Sequence, residues 1–179
     1  SSQTVYWQHE RHQAEHVQAR NRIERRLAQV TEGARATNWG EFANLKRQEN
    51  YHAAGQRLHE LYWQVLGGSG GEPEGELMAT IERCFGSFAA WQADFLATAE
   101  ATRNGWTILL WDRGARQLSN IPVEQQHVGA LWQSTPLLPV DLWEHAYYYD
   151  HGPDRGAYLD AFLSNVNWQA VENLFSRRM

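Results

Sequence analysis

The chain has 179 residues, 42% of them hydrophobic, which is enough for a folded domain with a buried core. With 16 basic and 21 acidic residues the net charge is −5, so no direct binding to nucleic acid is expected. A single cysteine excludes an internal disulfide framework, and no apolar run approaches the roughly 20 residues of a transmembrane segment.

Two long helices are predicted in the first part of the chain. Residues 3–30 hold no Pro or Gly, and side chains such as Val5, Ile23 and Leu27 recur at helical spacings. Residues 31–40 are predicted to form a loop, and residues 41–66 a second helix. The glycine-rich stretch "LGGSGGEPEGE" ends that helix. It divides the chain into an N-terminal helical hairpin, residues 1–68, and a C-terminal lobe, residues 75–179.

The C-terminal lobe mixes helices and strands. "GELMATIERCF" and "GSFAAWQADFLATAEAT" predict two helices, and "GWTILLW", "LSNIPV" and "PLLPVDLW" predict three short strands. Residues 156–164 and 167–177 return to a helical pattern. The predicted fold class is therefore α+β: a long helical hairpin, then helices around a small three-stranded antiparallel sheet.

One carboxylate and two histidines stand in aromatic surroundings. Asp141 and His145 are four residues apart in "DLWEHAYYYD", which puts them on one side of a helical turn, or at a strand end and the turn after it. His59 lies far away in sequence, within "LHELYW". Because carboxylate and imidazole are common ligands of Fe, Mn and Zn, these three side chains are candidate ligands of one metal ion.

Longer motifs around these residues resemble the iron/manganese superoxide dismutases. "DLWEHAYY" is similar to the family's D-x-W-E-H-A-Y-Y signature, and "LHELYW" is similar to its second ligand helix. "GELMATIERCFGSFAAWQADFLATA", the "GW" at 105–106 and "YLDAFLSNVNW" extend the resemblance over nearly the whole chain. It implies a helical hairpin and an α+β lobe, with one Fe or Mn ion per chain between them.

The resemblance also implies roles for single residues. His59, Asp141 and His145 match three of the family's four metal ligands. Gln126 stands where manganese-type members carry the glutamine that bonds the metal-bound solvent, and Gly55 stands at the glutamine position of iron-type members. The implied pocket wall consists of Trp63, Trp106 and Trp143. A homodimer, or a heterodimer with a related chain, is implied with its interface at Glu144, His145 and Tyr148.

The fourth ligand position, on the first helix, departs from the family pattern. An alignment without a gap matches Thr4, Val17 and Asn21, and it puts Gln8 at the ligand position and His16 at the gateway tyrosine. A shift of four residues makes His12 the ligand, with His16 behind it, but loses those matches. We favour the first alignment, in which Gln8 is a weak neutral ligand and His12 or His16 relays protons and gates the pocket.

Two smaller departures lie elsewhere. Arg57 occupies an aromatic position of the iron-type enzymes, and Ile108 replaces a tryptophan that the family carries after the start of the first strand.

Two functions follow from this reading. The first is dismutation of superoxide to oxygen and hydrogen peroxide at a mononuclear Fe/Mn site, impaired to the extent that Gln8 weakens metal binding. The second is a catalytically inactive, metal-free structural subunit of a larger assembly, for example a mitochondrial ribosome or a membrane-associated complex. A metal-binding protein with another chemistry is a third reading, for which the sequence names no substrate. The cytoplasm and the mitochondrial matrix both fit the sequence.

Overall fold

The N-terminal part of the computed structural model, which describes residues 1–31 and 40–178, is a pair of long helices. Helix α1 comprises α-helical turns at Ser2–Trp7, a π-helical stretch at Gln8–Gln13 and an α-helix at Ala14–Leu27. Helix α2 spans Glu41–Gln64. The two predicted helices thus end three and two residues earlier than expected, and the predicted loop lies almost wholly outside the described residues.

The C-terminal part contains five further helices and three strands. Helices α3, Gly75–Phe85, and α4, Phe88–Ala101, precede the strands. The strands are β1, Gly105–Asp112, β2, Gln117–Glu124, and β3, Ser134–Asp141. Helices α5, Glu144–His151, α6, Arg155–Leu163, and α7, Trp168–Ser176, follow them. The predicted α+β fold class is therefore confirmed.

The sheet is antiparallel, in the order β2-β1-β3. Central strand β1 is almost fully buried and contains no proline. The prolines of the sheet lie in the edge strands β2 and β3, which have no neighbouring strand on one side. Trp106 at the start of β1 pairs with Asp141 at the end of β3. This register puts a buried carboxylate beside a buried indole.

The glycine-rich stretch is packed against the C-terminal part of the chain. The backbone N–H of Gly68 donates to the carbonyl of Asn165 (3.0 Å), and a Cβ added at Gly68 would lie 2.3 Å from the carbonyl oxygen of Val166. One hydrophobic core joins Leu58 and Tyr62 of α2 to residues of the sheet and of the last helices. The division into units 1–68 and 75–179 stays a prediction.

The sequence predicts two helices after the sheet, whereas the structure has three. The additional helix is α5, which begins at Glu144. The third strand was predicted to continue to Trp143, but it ends at Asp141. Among the described residues, no helix is both long enough and apolar enough to cross a lipid bilayer.

Candidate metal centre

The fold brings the three predicted ligands together from three different elements. Asp141 is the last residue of β3, His145 lies in the first turn of α5, and His59 lies in the last third of α2. One potential ligand atom from each lies within 4.8 Å of those of the other two. Of the two arrangements open from the sequence, the structure has the strand end and the following turn.

His59 presents an unpaired nitrogen to this cluster. Its ring is completely buried, and its Nδ1–H donates to the carbonyl of Gly55 (2.7 Å), which leaves the lone pair of Nε2 facing Asp141. Nε2 lies 3.5 Å from Asp141 Oδ2 and forms no hydrogen bond with any described residue. A buried acceptor with no donor is costly. A metal ion in contact with Nε2 would remove that cost, so the donor set of two imidazoles and one carboxylate fits Fe or Mn.

Gln8 is the residue of helix α1 that reaches the cluster. Its side chain is 2% exposed, and its Nε2 donates to Asp141 Oδ2 over 2.7 Å. It opens the π-helical stretch of α1, a conformation that occurs frequently at functional sites. His12 lies at the next turn, with its ring stacked on the ring of His145 at a centroid distance of 3.9 Å.

Asp141 is fixed by three further contacts. Its Oδ1 accepts from the backbone N–H of Trp143 (3.0 Å), and its Oδ2 also bonds Nε2 of His145 (3.0 Å). Tyr158, in α6, donates its hydroxyl to the backbone carbonyl of Asp141 (2.8 Å). Tyr158 is not predicted as a site residue, because nothing in the spacing of residues 155–163 distinguishes it from a core tyrosine.

Asp141 and His145 are joined by a hydrogen bond, and each shifts the pKa of the other. Burial by itself opposes ionisation of Asp141, but the charge and the hydrogen bond of His145 outweigh it and lower the pKa of the carboxyl group. Burial likewise opposes protonation of His145, but Asp141 outweighs it and raises the pKa of the imidazole. For His59, burial prevails over the attraction of Asp141 and lowers the pKa of the imidazole. The ring is therefore neutral, and the lone pair of Nε2 is free to bind a metal ion.

Helix α1 adds two more histidines to the surroundings of the cluster. The His16 ring lies 5.5 Å from the His59 ring, and its Nδ1 lies 3.1 Å from Nδ1 of His52. Burial, together with the nearby imidazoles, lowers the pKa of His16 to about 4, and burial also lowers the pKa of His12. His16 fits because α2 has a glycine opposite it: a Cβ at Gly55 would lie 2.4 Å from His16 Cε1. His52 is not predicted as a site residue, because its proximity to His16 depends on how the two helices pair.

Gln126 lies buried behind the cluster. Its side-chain oxygen accepts a hydrogen bond from Nε1 of Trp106 (2.7 Å), and the Trp106 ring meets the His59 ring edge-on at 5.0 Å. Gln126 follows Gln125, whose left-handed backbone (φ 54°) turns the chain sharply after β2. This turn directs the next residue towards the core.

The sequence comparisons identify the family. Residues 73–174 match the family model for iron/manganese superoxide dismutases, C-terminal domain. The chain is 41% identical over 178 residues to a manganese superoxide dismutase of Haloarcula marismortui, covering 99% of this chain and 86% of that protein. It is 39% identical over 173 residues to manganese superoxide dismutase 2 of Halobacterium salinarum, covering 96% of this chain and 84% of that protein.

The chain belongs to the iron/manganese superoxide dismutase family. Membership implies a manganese or iron cofactor, in agreement with the donor set found around His59.

Trp63 and Trp143, the other two tryptophans of the pocket wall expected for this superoxide dismutase family member, differ from each other in hydrogen bonding. Trp63 is half-buried and donates its Nε1 to Gln13 Oε1 of α1 (2.8 Å). Trp143 is also half-buried, and its Nε1 has no hydrogen-bond partner among the described residues.

The residues expected at a dimer interface lie on the surface of the single chain. Glu144 and Tyr148 of α5 are exposed, and His145 retains partial exposure. Tyr149 is also exposed and meets Trp7 of α1 edge-on, with ring centroids 5.0 Å apart. Exposed aromatic side chains are thus concentrated where α1 and α5 meet.

Proposed function

We propose that the chain is a superoxide dismutase that binds one manganese or iron ion through His59, Asp141 and His145. The observation that carries the proposal is the buried, unpaired Nε2 of His59, 3.5 Å from Asp141 Oδ2. When bound, the metal would supply the +2/+3 couple through which one superoxide is oxidised to oxygen and another is reduced to hydrogen peroxide.

The remaining residues would orient groups and move protons. Reduction of superoxide to hydrogen peroxide consumes two protons, so proton-carrying groups are needed near the cluster. Gln126 holds an amide beside Trp106, whose ring contacts His59. His16, neutral because its pKa is lowered to about 4, and His12, stacked on His145, are the candidates for a relay along α1.

Gln8 would make the metal site weaker than one with three imidazoles. A side-chain amide is a neutral oxygen donor, whereas imidazole is the stronger ligand for Fe and Mn. The amide already donates to the Asp141 oxygen that would face the metal. We therefore expect metal binding with reduced affinity and a shifted reduction potential.

The same contact supports a second candidate function, a catalytically inactive structural subunit. Asp141 Oδ2 is bonded by Gln8 Nε2 at 2.7 Å and by His145 Nε2 at 3.0 Å. These two donors partly balance the buried carboxylate, and thereby lower the cost of folding without metal.

Metal content and superoxide turnover of the natural protein and of the Gln8→His variant test the two candidates. Both proteins are reconstituted with Mn and with Fe before analysis by plasma mass spectrometry. Gln13→His, which places an additional histidine in the same π-helical stretch beside Trp63, is the matched control.

For the enzyme, we expect close to one ion per chain and measurable turnover in the natural protein, with tighter metal retention in Gln8→His alone. A natural protein that stays metal-free and inert, while Gln8→His gains metal, supports the inactive subunit. A Gln8→His variant that also stays metal-free refutes metal binding by this set of ligands.

We also propose that the surface around Glu144 and Tyr148 forms a dimer interface. The exposed aromatic residues of α1 and α5 support this, since contiguous exposed apolar side chains mark association surfaces. Sedimentation velocity on the natural protein and on Tyr148→Ser tests it. We expect a dimer that Tyr148→Ser weakens. The control is Trp132→Ser, at an exposed aromatic residue of the connection between β2 and β3, which should leave the dimer unchanged.

A further inference from the structure

A cavity lies between helix α2 and the sheet. Its volume is about 490 Å³, within the range of small-molecule sites in proteins. The walls are mainly aliphatic: Leu58 comes from α2, and Ile108, Leu110, Ile121 and Val123 come from β1 and β2. Ile108 pairs with Ile121 in the sheet, so the floor is a continuous apolar surface.

The connection between β2 and β3 forms the rim of this cavity. The connection begins at Gln125 and ends at Gln133, both in left-handed backbone conformation (φ 54° and 59°). Between them, Leu131 and Trp132 line the cavity while remaining accessible, and the Trp132 side chain is 91% exposed. Hydration of so large an aromatic surface is unfavourable, and an apolar ligand in contact with Trp132 would displace the water.

The polar part of the lining favours an anion. Arg57 of α2 lines the cavity, and its side chain is 69% exposed. It pairs with Glu60 over 2.7 Å, but exposed ion pairs of this kind contribute little, so Arg57 can bond a second acid group. Within the described part of the chain, no Asp or Glu lines the cavity.

We propose that this cavity binds an amphipathic organic monoanion, whose apolar body packs between α2 and the sheet and whose acid group bonds Arg57. The ligand would reach Gln126, which also lines the cavity and accepts the hydrogen bond of Trp106. His59, Asp141 and His145 do not line the cavity, so the ligand would make no contact with a metal ion bound there.

Fluorescence titration with anilinonaphthalene sulfonate, an aromatic monoanion, tests the proposal. The neutral analogue N-phenylnaphthylamine lacks the acid group and serves as the matched ligand. We expect saturable binding of one sulfonate per chain and about tenfold weaker binding by Arg57→Gln, the loss of one charge-assisted hydrogen bond. Affinity for the neutral analogue should be unchanged by Arg57→Gln. Arg103→Gln, at an exposed arginine outside the cavity, is the control.

Ile108→Trp should abolish binding of both ligands by filling the floor of the cavity. If that variant does not fold, as judged by near-ultraviolet circular dichroism, Ala54→Leu narrows the same cavity from α2. Unchanged binding by the folded filling variant overturns the site, as does the absence of saturable binding by the natural protein. Equal weakening of both ligands by Arg57→Gln overturns the anionic class. Binding that falls as protein concentration rises would show that a second copy of the chain covers the cavity, and it also overturns the proposal.

Discussion

The hydrogen bond between Trp106 and Gln126 can be tested with a pair of matched substitutions. Trp106 and Trp91 are both completely buried, and each donates its Nε1 to a side-chain amide oxygen. Replacement of either residue by Phe removes the same atoms from the core. The two variants differ mainly in the acceptor left behind, which is Gln126 in one case and Asn120 in the other.

The expected difference follows from the burial of these two acceptors. Gln126 is 3% exposed, so without Trp106 its oxygen keeps no protein donor and gains little water, at a cost of about 1–3 kcal/mol. Asn120 is half-buried and retains the bond from its Nδ2 to Asp94, so its oxygen can bond water, and only the net value of about 0.5–1.5 kcal/mol is lost. Trp106→Phe should therefore cost about 1 kcal/mol more than Trp91→Phe.

Urea denaturation of the two variants and the natural protein measures this difference. All three are prepared metal-free by the same chelation step, so that metal binding does not contribute to stability. Unfolding free energies are compared at a shared m-value. Equal losses in the two variants, or a larger loss in Trp91→Phe, would refute the reasoning from acceptor burial.

Three further predictions concern other contacts. Arg155→Met should lower the free energy of unfolding by about 2–3 kcal/mol, because the guanidinium donates to the carbonyls of Ala99 (2.8 Å) and Thr102 (3.0 Å) at the end of α4. Urea denaturation should show a smaller decrease in the free energy of unfolding for Arg155→Lys, which keeps the positive charge. The pKa of His16 is 6.5 in the unfolded chain and about 4 in the folded one, so between these pH values the unfolded chain binds a proton that the folded chain does not. The free energy of unfolding should therefore fall as the pH is lowered from 6.5 to 4. Urea midpoints of the metal-free protein should fall less steeply over this range in His16→Gln. Gly55→Ala should displace the His16 ring, whose Cε1 would lie 2.4 Å from the new Cβ, and an unchanged imidazole NMR signal of His16 would contradict that expectation.

Periodicity and glycine patterns predict most of this fold. The long helices α1 and α2 follow from apolar spacing, and the three strands follow from short β-branched and aromatic runs bounded by turn residues. Helix α5 was missed because only eight residues form it and three adjacent tyrosines obscure its period. The packing of Gly68 against Val166 depends on a contact between segments about a hundred residues apart, which local pattern does not encode.

Only the part of the candidate site that lies within recognisable sequence motifs could be predicted. Asp141 and His145 share one motif, and His59 lies in another, so the ligand cluster could be expected from the sequence. The bond from Gln8 to Asp141 needs the register of α1 against the sheet. The proximity of His52 to His16 and the bond from Tyr158 to the Asp141 carbonyl arise from tertiary packing, for which residue spacing gives no signal.

The π-helical stretch of α1 constrains how this segment can change over evolutionary time. A π-helical turn holds one residue more than an α-helical turn, so the stretch from Gln8 to Gln13 sets the rotation of everything after it. Loss of a single residue there would restore an ordinary helix and turn either Gln8 or His16 away from the metal cluster. A substitution in this stretch changes one side chain and keeps the rotation of the helix. An insertion or a deletion would change that rotation, so Gln8 and His16 would no longer both face the metal cluster.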